Sequence, residues 1–520
     1  MQTTLRLRPL FYIFISCLIS IFLISCQTQQ AENQPAQAEI QYQNIVVIIG
    51  DDHSANVLGT YGNDIIKTPN LDRMASRGVQ FNRAYANAPL CSASRQSILT
   101  GLYPHAAGVT LLTTPFPEEK ITLADHLQNY GYTSAIIGKN HFNNQLNHGF
   151  NIKIERSDYN AYMETADVAK VPDSIPTRPP WKPFRDPARV WLNSEMLPGD
   201  RYDEYDIGTW YADQANDFLE QHQDSSFLLW VGFHEPHSPF NFPVEYQNRY
   251  KPDEVPFPEG SAEDDRWIPD VFRDLTEEER KGIIASYYTS VEYLDKNVGL
   301  ILDKIESLGL GENTLVIYIG DHGYLLNDHK RFEKHMMWEP AIRAPLIVQG
   351  GSQLEAGKKI DAMAEYVDLV PTLLEATQNP LIEGLQGKSL MPIIKGDTNR
   401  HKEYIFSEFL ADNKAMVRGE RFKYIFTTGK RDLGQGYETG YPAPGITHRL
   451  YDVVNDPDET TNLYTDPEYT EELRKMQEVM LQWFENTHPK ADSIQDDWEV
   501  ERRLIAFCEP PDKQANLSAR

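Results

Sequence analysis

Three short apolar runs rich in β-branched residues punctuate the chain: Asn44-Ile-Val-Val-Ile-Ile-Gly50, Phe227 to Val231, and Leu315 to Ile319. None alternates with polar positions, so each predicts a strand buried on both faces, as in a parallel sheet covered by helices. Between the second and third runs, Tyr287, Val291, Leu294, Val298, Ile301 and Ile305 recur at three- and four-residue steps. That stripe predicts an amphipathic helix from Ile283 to Leu308, crossing from one parallel strand to the next. Near Gly396-Asp-Thr-Asn399 the texture changes. Alternating runs at Tyr404-Ile-Phe406, Lys423-Tyr-Ile-Phe426 and Arg449-Leu-Tyr451 predict a small antiparallel sheet, and Leu473, Met476, Met480 and Trp483 mark one side of a helix after it. The expected fold class is α/β, with a large mostly parallel sheet flanked by helices over 44–396 and an antiparallel sheet plus helix over 397–488. The polar residues 489–520 are expected to form an extended tail.

The first 25 residues are excluded from the fold. Arg6 and Arg8 precede an apolar run from Leu10 to Ser25, short for a bilayer span but suited to a signal-peptide core. Leu23-Ile-Ser-Cys26 resembles a bacterial lipobox, which implies cleavage before Cys26 and lipid on that cysteine. Gln27 at the next position points, by the same resemblance, to the outer membrane. An uncleaved anchor would leave the same domain outside the membrane. Residues 26–43, rich in glutamine, are expected to be a flexible tether. Cys17 leaves with the signal and Cys26 is assigned to lipid, so only Cys91 and Cys508 remain and no disulfide framework is implied.

The chain has 520 residues and 41% hydrophobic content, enough for one large domain with a full core and a smaller appendage. Its 49 basic and 76 acidic side chains give a net charge of −27, which argues against nucleic acid or anionic polymer as a nonspecific partner. Any anionic substrate must therefore meet a local cluster of cations.

Ligands of open α/β sheets gather beyond the carboxyl ends of the strands. Asp51-Asp52 follow the first apolar run, His234 and His237 the second, and Asp321-His322-Gly323 the third. Adjacent carboxylates at such a place are costly unless a cation neutralises them, and oxygen donors favour Ca2+ or Mg2+. Taken singly, Asp51-Asp52 would also suit a helix cap beside a solvated neighbour, and His237 an ordinary histidine. From Asp158 to Asp206 runs an irregular stretch rich in Pro, Trp and Arg, including Arg178, Trp181, Lys182, Arg185, Arg189 and Trp191. It reads either as a packed surface excursion or as a wall beside a ligand site, with aromatic faces and guanidinium groups to offer.

The sequence Cys91-Ser-Ala-Ser-Arg95, continued by Gln-Ser-Ile-Leu-Thr100-Gly101, resembles the maturation signature of type I sulfatases, in which the cysteine is oxidised to formylglycine. Other motifs fall in the order of that branch of the alkaline phosphatase superfamily. They are Thr68-Pro-Asn-Leu-Asp72, Tyr103-Pro-His105, Gly138-Lys139-Asn-His141, Glu235-Pro-His237-Ser-Pro239, Asp328-His329 with Lys334, Arg343-Ala-Pro-Leu-Ile347, Arg421-Phe-Lys-Tyr424 and Leu450 to Asp458. The resemblance spans Asn44 to about Trp483.

It implies an alkaline phosphatase-like fold and a metal site of Asp51, Asp52, Asp321 and His322, completed by the modified Cys91. Arg95 and Lys139 would hold the nucleophile, and Lys334 and His237 would contact sulfate and leaving oxygen, with His237 as the acid. Asp321 would help deprotonate the attacking hydroxyl, and His141 would take the second proton so that the aldehyde reforms. His105 is a further pocket candidate, beside Arg178, Trp181, Arg185 and Arg189, where the resemblance implies aromatic faces against sugar rings and guanidinium groups against uronate or a second sulfate.

Implied partners are a sulfated carbohydrate, a formylglycine-generating maturase and a membrane reached through the lipid. Ala93 replaces the usual proline, a form the family associates with radical-based anaerobic maturases. Gly320 and Asn327 replace a usual serine and glycine without removing a charged group. The alternatives are a formylglycine-dependent phosphonate monoester hydrolase or phosphodiesterase, and a noncatalytic lipoprotein that binds sulfated glycan.

Overall fold

The structure, a computed structural model, describes residues 41–512 except 181, 183–185, 263, 267, 429–444 and 496. The strands are β1 (Asn44–Gly50), β2 (Val79–Phe81), β3 (Ala84–Tyr85), β4 (Thr133–Gly138), β5 (Ile152–Ile154), β6 (Phe227–Gly232), β7 (Thr314–Gly320), β8 (Leu346–Gln349), β9 (Lys358–Ile360), β10 (Ala364–Glu365), β11 (Ile405–Phe409), β12 (Lys414–Arg418), β13 (Phe422–Thr427) and β14 (Thr447–Asp452). Helices used below are α1 (Cys91–Thr100), α2 (Ile207–His222), α3 (Glu277–Ser307), α4 (Thr470–Thr487) and α5 (Val500–Phe507).

Eight strands form the large sheet in the order β5-β4-β6-β1-β7-β8-β2-β9. The three apolar runs are its centre: β1 lies between β6 and β7 and pairs parallel with both. Every residue of β1, β6 and β7 is buried, the condition that an unbroken apolar run satisfies. β8 departs from the parallel rule and runs antiparallel to both β7 and β2.

On one face, Val46 and Ile48 of β1 and Leu229 and Val231 of β6 pack with Tyr211 and Phe218 of α2 and Leu294, Val298 and Ile301 of α3. The helix expected from Ile283 begins earlier, at Glu277. Thr276 Oγ1 accepts from Glu279 N–H at 3.2 Å, and the Glu279 carboxylate accepts from Thr276 N–H at 2.8 Å. This reciprocal cap adds charged, solvent-facing residues to the start of the helix, where no apolar periodicity marks them.

The second sheet, β11-β12-β13-β14, is antiparallel throughout and belongs to the same compact unit as the large one. α4 covers it, burying Met476, Met480, Trp483 and Phe484.

Two expectations at the chain's margins are corrected. The end of the supposed tether is part of the fold: Tyr42 is buried, its N–H donates to Ala376 O at 2.9 Å, and its hydroxyl donates to Gly350 O at 2.9 Å. Nor is the tail extended. α5 buries Leu504 and Phe507, and Phe507 stacks on Phe484 with ring centroids 5.0 Å apart. Beyond it, the Asp512 carboxylate accepts from Thr110 N–H at 3.0 Å. One short apolar stripe in polar surroundings has little signal of its own; Phe484 of α4 is what gives it a partner. Cys26 and the signal segment lie outside the described residues, and no helix among those described is long and apolar enough to cross a membrane.

Candidate active site

Four central strands end at one edge of the sheet, each in glycine. Gly50 of β1 is level with Gly320 of β7, Gly232 of β6 with Ile49 of β1, and Gly138 of β4 with Gly232. The residues that follow therefore emerge side by side: Asp51-Asp52, Asp321-His322, the loop carrying His234 and His237, and Lys139 with His141. Gly232 is required by close approach, since a Cβ there would lie 2.8 Å from Arg95 Nη1 and closer still to the Lys139 carbonyl.

α1 brings the remaining chemistry. It is buried along its whole length, with Cys91 as its first residue and Arg95 one turn later on the same side. Arg95 Nε donates to Asp321 Oδ2 at 2.8 Å, Nη1 donates to Lys139 O at 2.7 Å, and Nη2 lies 3.6 Å from Asp51 Oδ1. One side chain thereby ties three strand ends together.

Around Cys91 Sγ stand Lys334 Nζ at 3.0 Å, His322 Nε2 at 3.3 Å and Asp52 Oδ1 at 3.6 Å. Lys334 also donates to both Asp52 oxygens, at 2.6 and 3.0 Å, and Lys139 forms an ion pair with Asp51. Asp52 has the unusual φ of 64°. Its backbone is pinned by its N–H, which donates to Asp321 Oδ1 at 2.9 Å, and by Tyr287, whose hydroxyl donates to Asp52 O at 2.6 Å. A strained residue held from both sides at the centre of a charge cluster is the usual mark of a functional position.

The electrostatics follow from burial and pairing. Burial opposes the charge on Asp51, but Lys139, His237 and Arg95 outweigh it and hold the carboxyl well below the ordinary range. Against the same opposition, Lys334 and His237 keep Asp52 at about 2. Burial pushes the Cys91 thiol up, with Asp51 adding to it. For His141, burial and then Lys139 lower the imidazole well below its usual value, so the ring is neutral. His237 is lowered by burial and then Lys334. Its Nδ1 faces Ser238 O at 2.7 Å, which leaves Nε2 turned to the site, 3.9 Å from Asp52 Oδ2.

Asp51, Asp52, Cys91 and His237 form one group, and Cys91, Asp321 and His322 another, in which donor atoms lie within 4.8 Å of one another. Asp51 Oδ1 is buried with no hydrogen-bond partner among the described residues. Three carboxylates, one of them with an orphaned buried oxygen, and one imidazole suit a hard divalent cation. Balance of charge is not the reason, because Arg95, Lys139 and Lys334 already offset the three carboxylates.

A profile of the sulfatase family matches residues 43–379, and that of the N-sulphoglucosamine sulphohydrolase C-terminal region matches 327–486. The chain belongs to the sulfatase family. It is a sulfuric ester hydrolase. An N-acetylglucosamine-6-O-sulfatase of Bacteroides thetaiotaomicron is 26% identical, with 94% of each chain covered. Among solved structures, the phosphonate monoester hydrolase of Agrobacterium radiobacter matches with a TM-score of 0.71 at 22% identity, over 84% of this chain and 95% of the other. A protein solved in complex with its substrate D-glucosamine-2-N,6-O-disulfate matches with a TM-score of 0.68 at 21% identity, over 88% and 100%. At these identities the structural matches speak for the fold.

The structure brings together Asp51, Asp52, Cys91, Arg95, Lys139, His141, His237, Asp321, His322 and Lys334. It does not bring His105 there. That side chain is buried beyond the far end of α1, with Nδ1 2.6 Å from Glu408 Oε2 and Nε2 3.0 Å from Thr487 Oγ1, so it is a structural link to the second sheet. Arg189 is half-exposed and its nearest ionic partner is Glu279, at 3.9 Å. Trp181 and Arg185 lie outside the described residues, and Trp191 is buried in a core cluster with Phe240 and Tyr287.

Arg178 does reach the site's cavity, a space of about 840 Å³ also lined by Lys139 and His237. Arg156 and Arg201 line it too. Neither carries a signal in the sequence, since each sits in charge-rich surroundings with no motif.

Proposed function

We propose that the chain removes sulfate from a sulfated carbohydrate, either a polysaccharide or oligosaccharides released from one, using Cys91 after its oxidation to formylglycine. The observation that carries the reading is the crowding of Lys334, His322 and Asp52 within 3.6 Å of one sulfur atom at the buried start of a helix. An unmodified thiol pushed up by burial is a poor nucleophile at neutral pH. The hydrated aldehyde supplies a hydroxyl for attack and a second one whose deprotonation restores the aldehyde.

Asp321, fixed by Arg95, takes the first proton. His141 is neutral, with Nδ1 buried and unpartnered among the described residues, and takes the second. Lys139 and Lys334 offset charge on the sulfate oxygens. His237 Nε2 delivers a proton to the leaving oxygen, since an arriving sulfate favours the imidazolium that burial and Lys334 disfavour in the free enzyme.

Asp51, Asp52, Asp321 and His322 would hold Ca2+, with Mg2+ the second choice. Such an ion supplies Lewis-acid polarisation of a sulfate oxygen. The sugar reading draws on the N-acetylglucosamine-6-O-sulfatase relative.

Matured protein is expected to release sulfate from at least one member of a panel of defined sulfated oligosaccharides, and to turn over aryl sulfate faster than aryl phosphonate monoester. The likeness to the phosphonate monoester hydrolase fold makes that second comparison necessary. Faster phosphonate or phosphodiester turnover with no sulfate released from any sugar would displace the proposal.

The reading extends to location. A lipid on Cys26 would hold the enzyme at the cell envelope, in the outer membrane. Labelled palmitate should enter the wild-type protein and not Cys26→Ala; equal labelling of both would remove the anchor.

A further inference from the structure

The cavity beside the nucleophile is lined by more cationic side chains than one sulfate ester needs. Besides Lys139 and His237, it is lined by Arg156, Arg178 and Arg201. In a chain of net charge −27, three arginines around one cavity form the kind of local cation cluster that an anion requires.

Their partners differ. Arg201 Nη1 donates to Tyr159 OH at 3.1 Å, and its Nε lies 3.5 Å from Asp200. Arg178 is held in place by its backbone N–H, which donates to Pro198 O at 2.8 Å, and by Nη2, which donates to Asn241 Oδ1 at 3.3 Å. Its Nε and Nη1 are buried and have no partner among the described residues. Burial lowers the guanidinium only to about 10, so it stays charged at neutral pH.

Three carboxylates line the cavity as well, Asp200, Asp206 and Glu235, and Asp200 is the one 3.5 Å from Arg201 Nε. Asp206 accepts from Gly208 N–H at 3.3 Å, Tyr293 OH at 2.9 Å and Asn241 Nδ2 at 3.1 Å. A fixed, charged guanidinium with two donors unused is the group that a planar or tetrahedral anion satisfies through paired hydrogen bonds. A sugar hydroxyl would meet one donor and leave the charge uncompensated.

We propose that Arg178, flanked by Arg201 and Arg156, is a subsite for a second anionic group, carboxylate or sulfate, carried by the same saccharide that presents the scissile sulfate. The preferred substrate is then at least dianionic, which deepens the sulfatase reading and rests on it.

Three oligosaccharides with the same scissile sulfate test this: one otherwise neutral, one bearing a uronate carboxylate, and one bearing a second sulfate. For wild type, kcat/KM should be about tenfold to a hundredfold higher on a dianionic member than on the neutral one. The arm that shows the gain identifies the anion. In Arg178→Gln the ratio should fall towards one, chiefly through KM. Arg178→Lys, which keeps charge and loses the fork, should fall between. Thermal melting of each variant checks that it is folded, and the wild-type ratio should shrink as salt is raised.

A wild-type ratio near one overturns the subsite and leaves the sulfatase reading standing. Equal losses on all three substrates in Arg178→Gln do the same. Release of sulfate from none of the three, alongside none from the wider panel, overturns both.

Discussion

Cys91→Ser is expected to abolish multiple turnover, with kcat falling at least about a thousandfold, while the melting temperature changes little. A serine oxygen fits where Sγ now lies among Lys334, His322 and Asp52, so the packing of the helix start survives. What is lost is the second hydroxyl, and with it the route by which bound sulfate leaves. Peptide mass spectrometry of active wild-type protein should show the aldehyde or its hydrate at position 91. With alanine at position 93, the modified fraction should rise on co-expression with a radical-type anaerobic maturase. Full activity from protein whose peptide carries only the thiol would end the formylglycine reading.

Chelation has the second large effect. In the structure Lys139 pairs with Asp51 and Lys334 with Asp52. Asp51, Asp52, Asp321 and His322 would hold a divalent ion, which would supply Lewis-acid polarisation of a sulfate oxygen. Stripping it should therefore lower kcat/KM at least about a hundredfold. Stabilisation by an ion at a hundred times its dissociation constant is about 2.7 kcal/mol, so the melting temperature should drop by a few degrees and recover when Ca2+ is restored. Asp52→Asn should be as inactive and should no longer respond to Ca2+ in melting. Undiminished activity after exhaustive chelation would remove the metal from the site.

Much of this catalytic centre was legible from local sequence because of how parallel sheets are built. A short unbroken apolar run rich in β-branched residues suits an interior strand, and the first polar residues after it then surface at the carboxyl edge. Asp51-Asp52, His237 and Asp321-His322 are all found there. Cys91 and Arg95 were legible only through the resemblance of their stretch to the sulfatase signature, and one helical turn then puts both on the same side. The start of the long helix at Thr276 is marked by the Thr-Glu-Glu-Glu cap and not by apolar periodicity.

What the tertiary structure alone decided are the partnerships made across long stretches of chain. His105 looks like a pocket residue beside the signature helix, yet Glu408, 303 residues away, seals it into the join with the second sheet. Arg178 and Arg189 are equivalent in the sequence, eleven positions apart in one irregular segment. Only folding sets the first on Asn241 inside the cavity and leaves the second near Glu279 at the surface. Arg156 and Arg201 join that cavity from separate elements, and α5 gains meaning only once Phe484 is there to cover it. Local propensity and hydrophobic period specify which segments form elements and which face is buried. They carry no information about which polar side chain will find its counter-charge, because that depends on distances set by the packing of elements far apart in sequence.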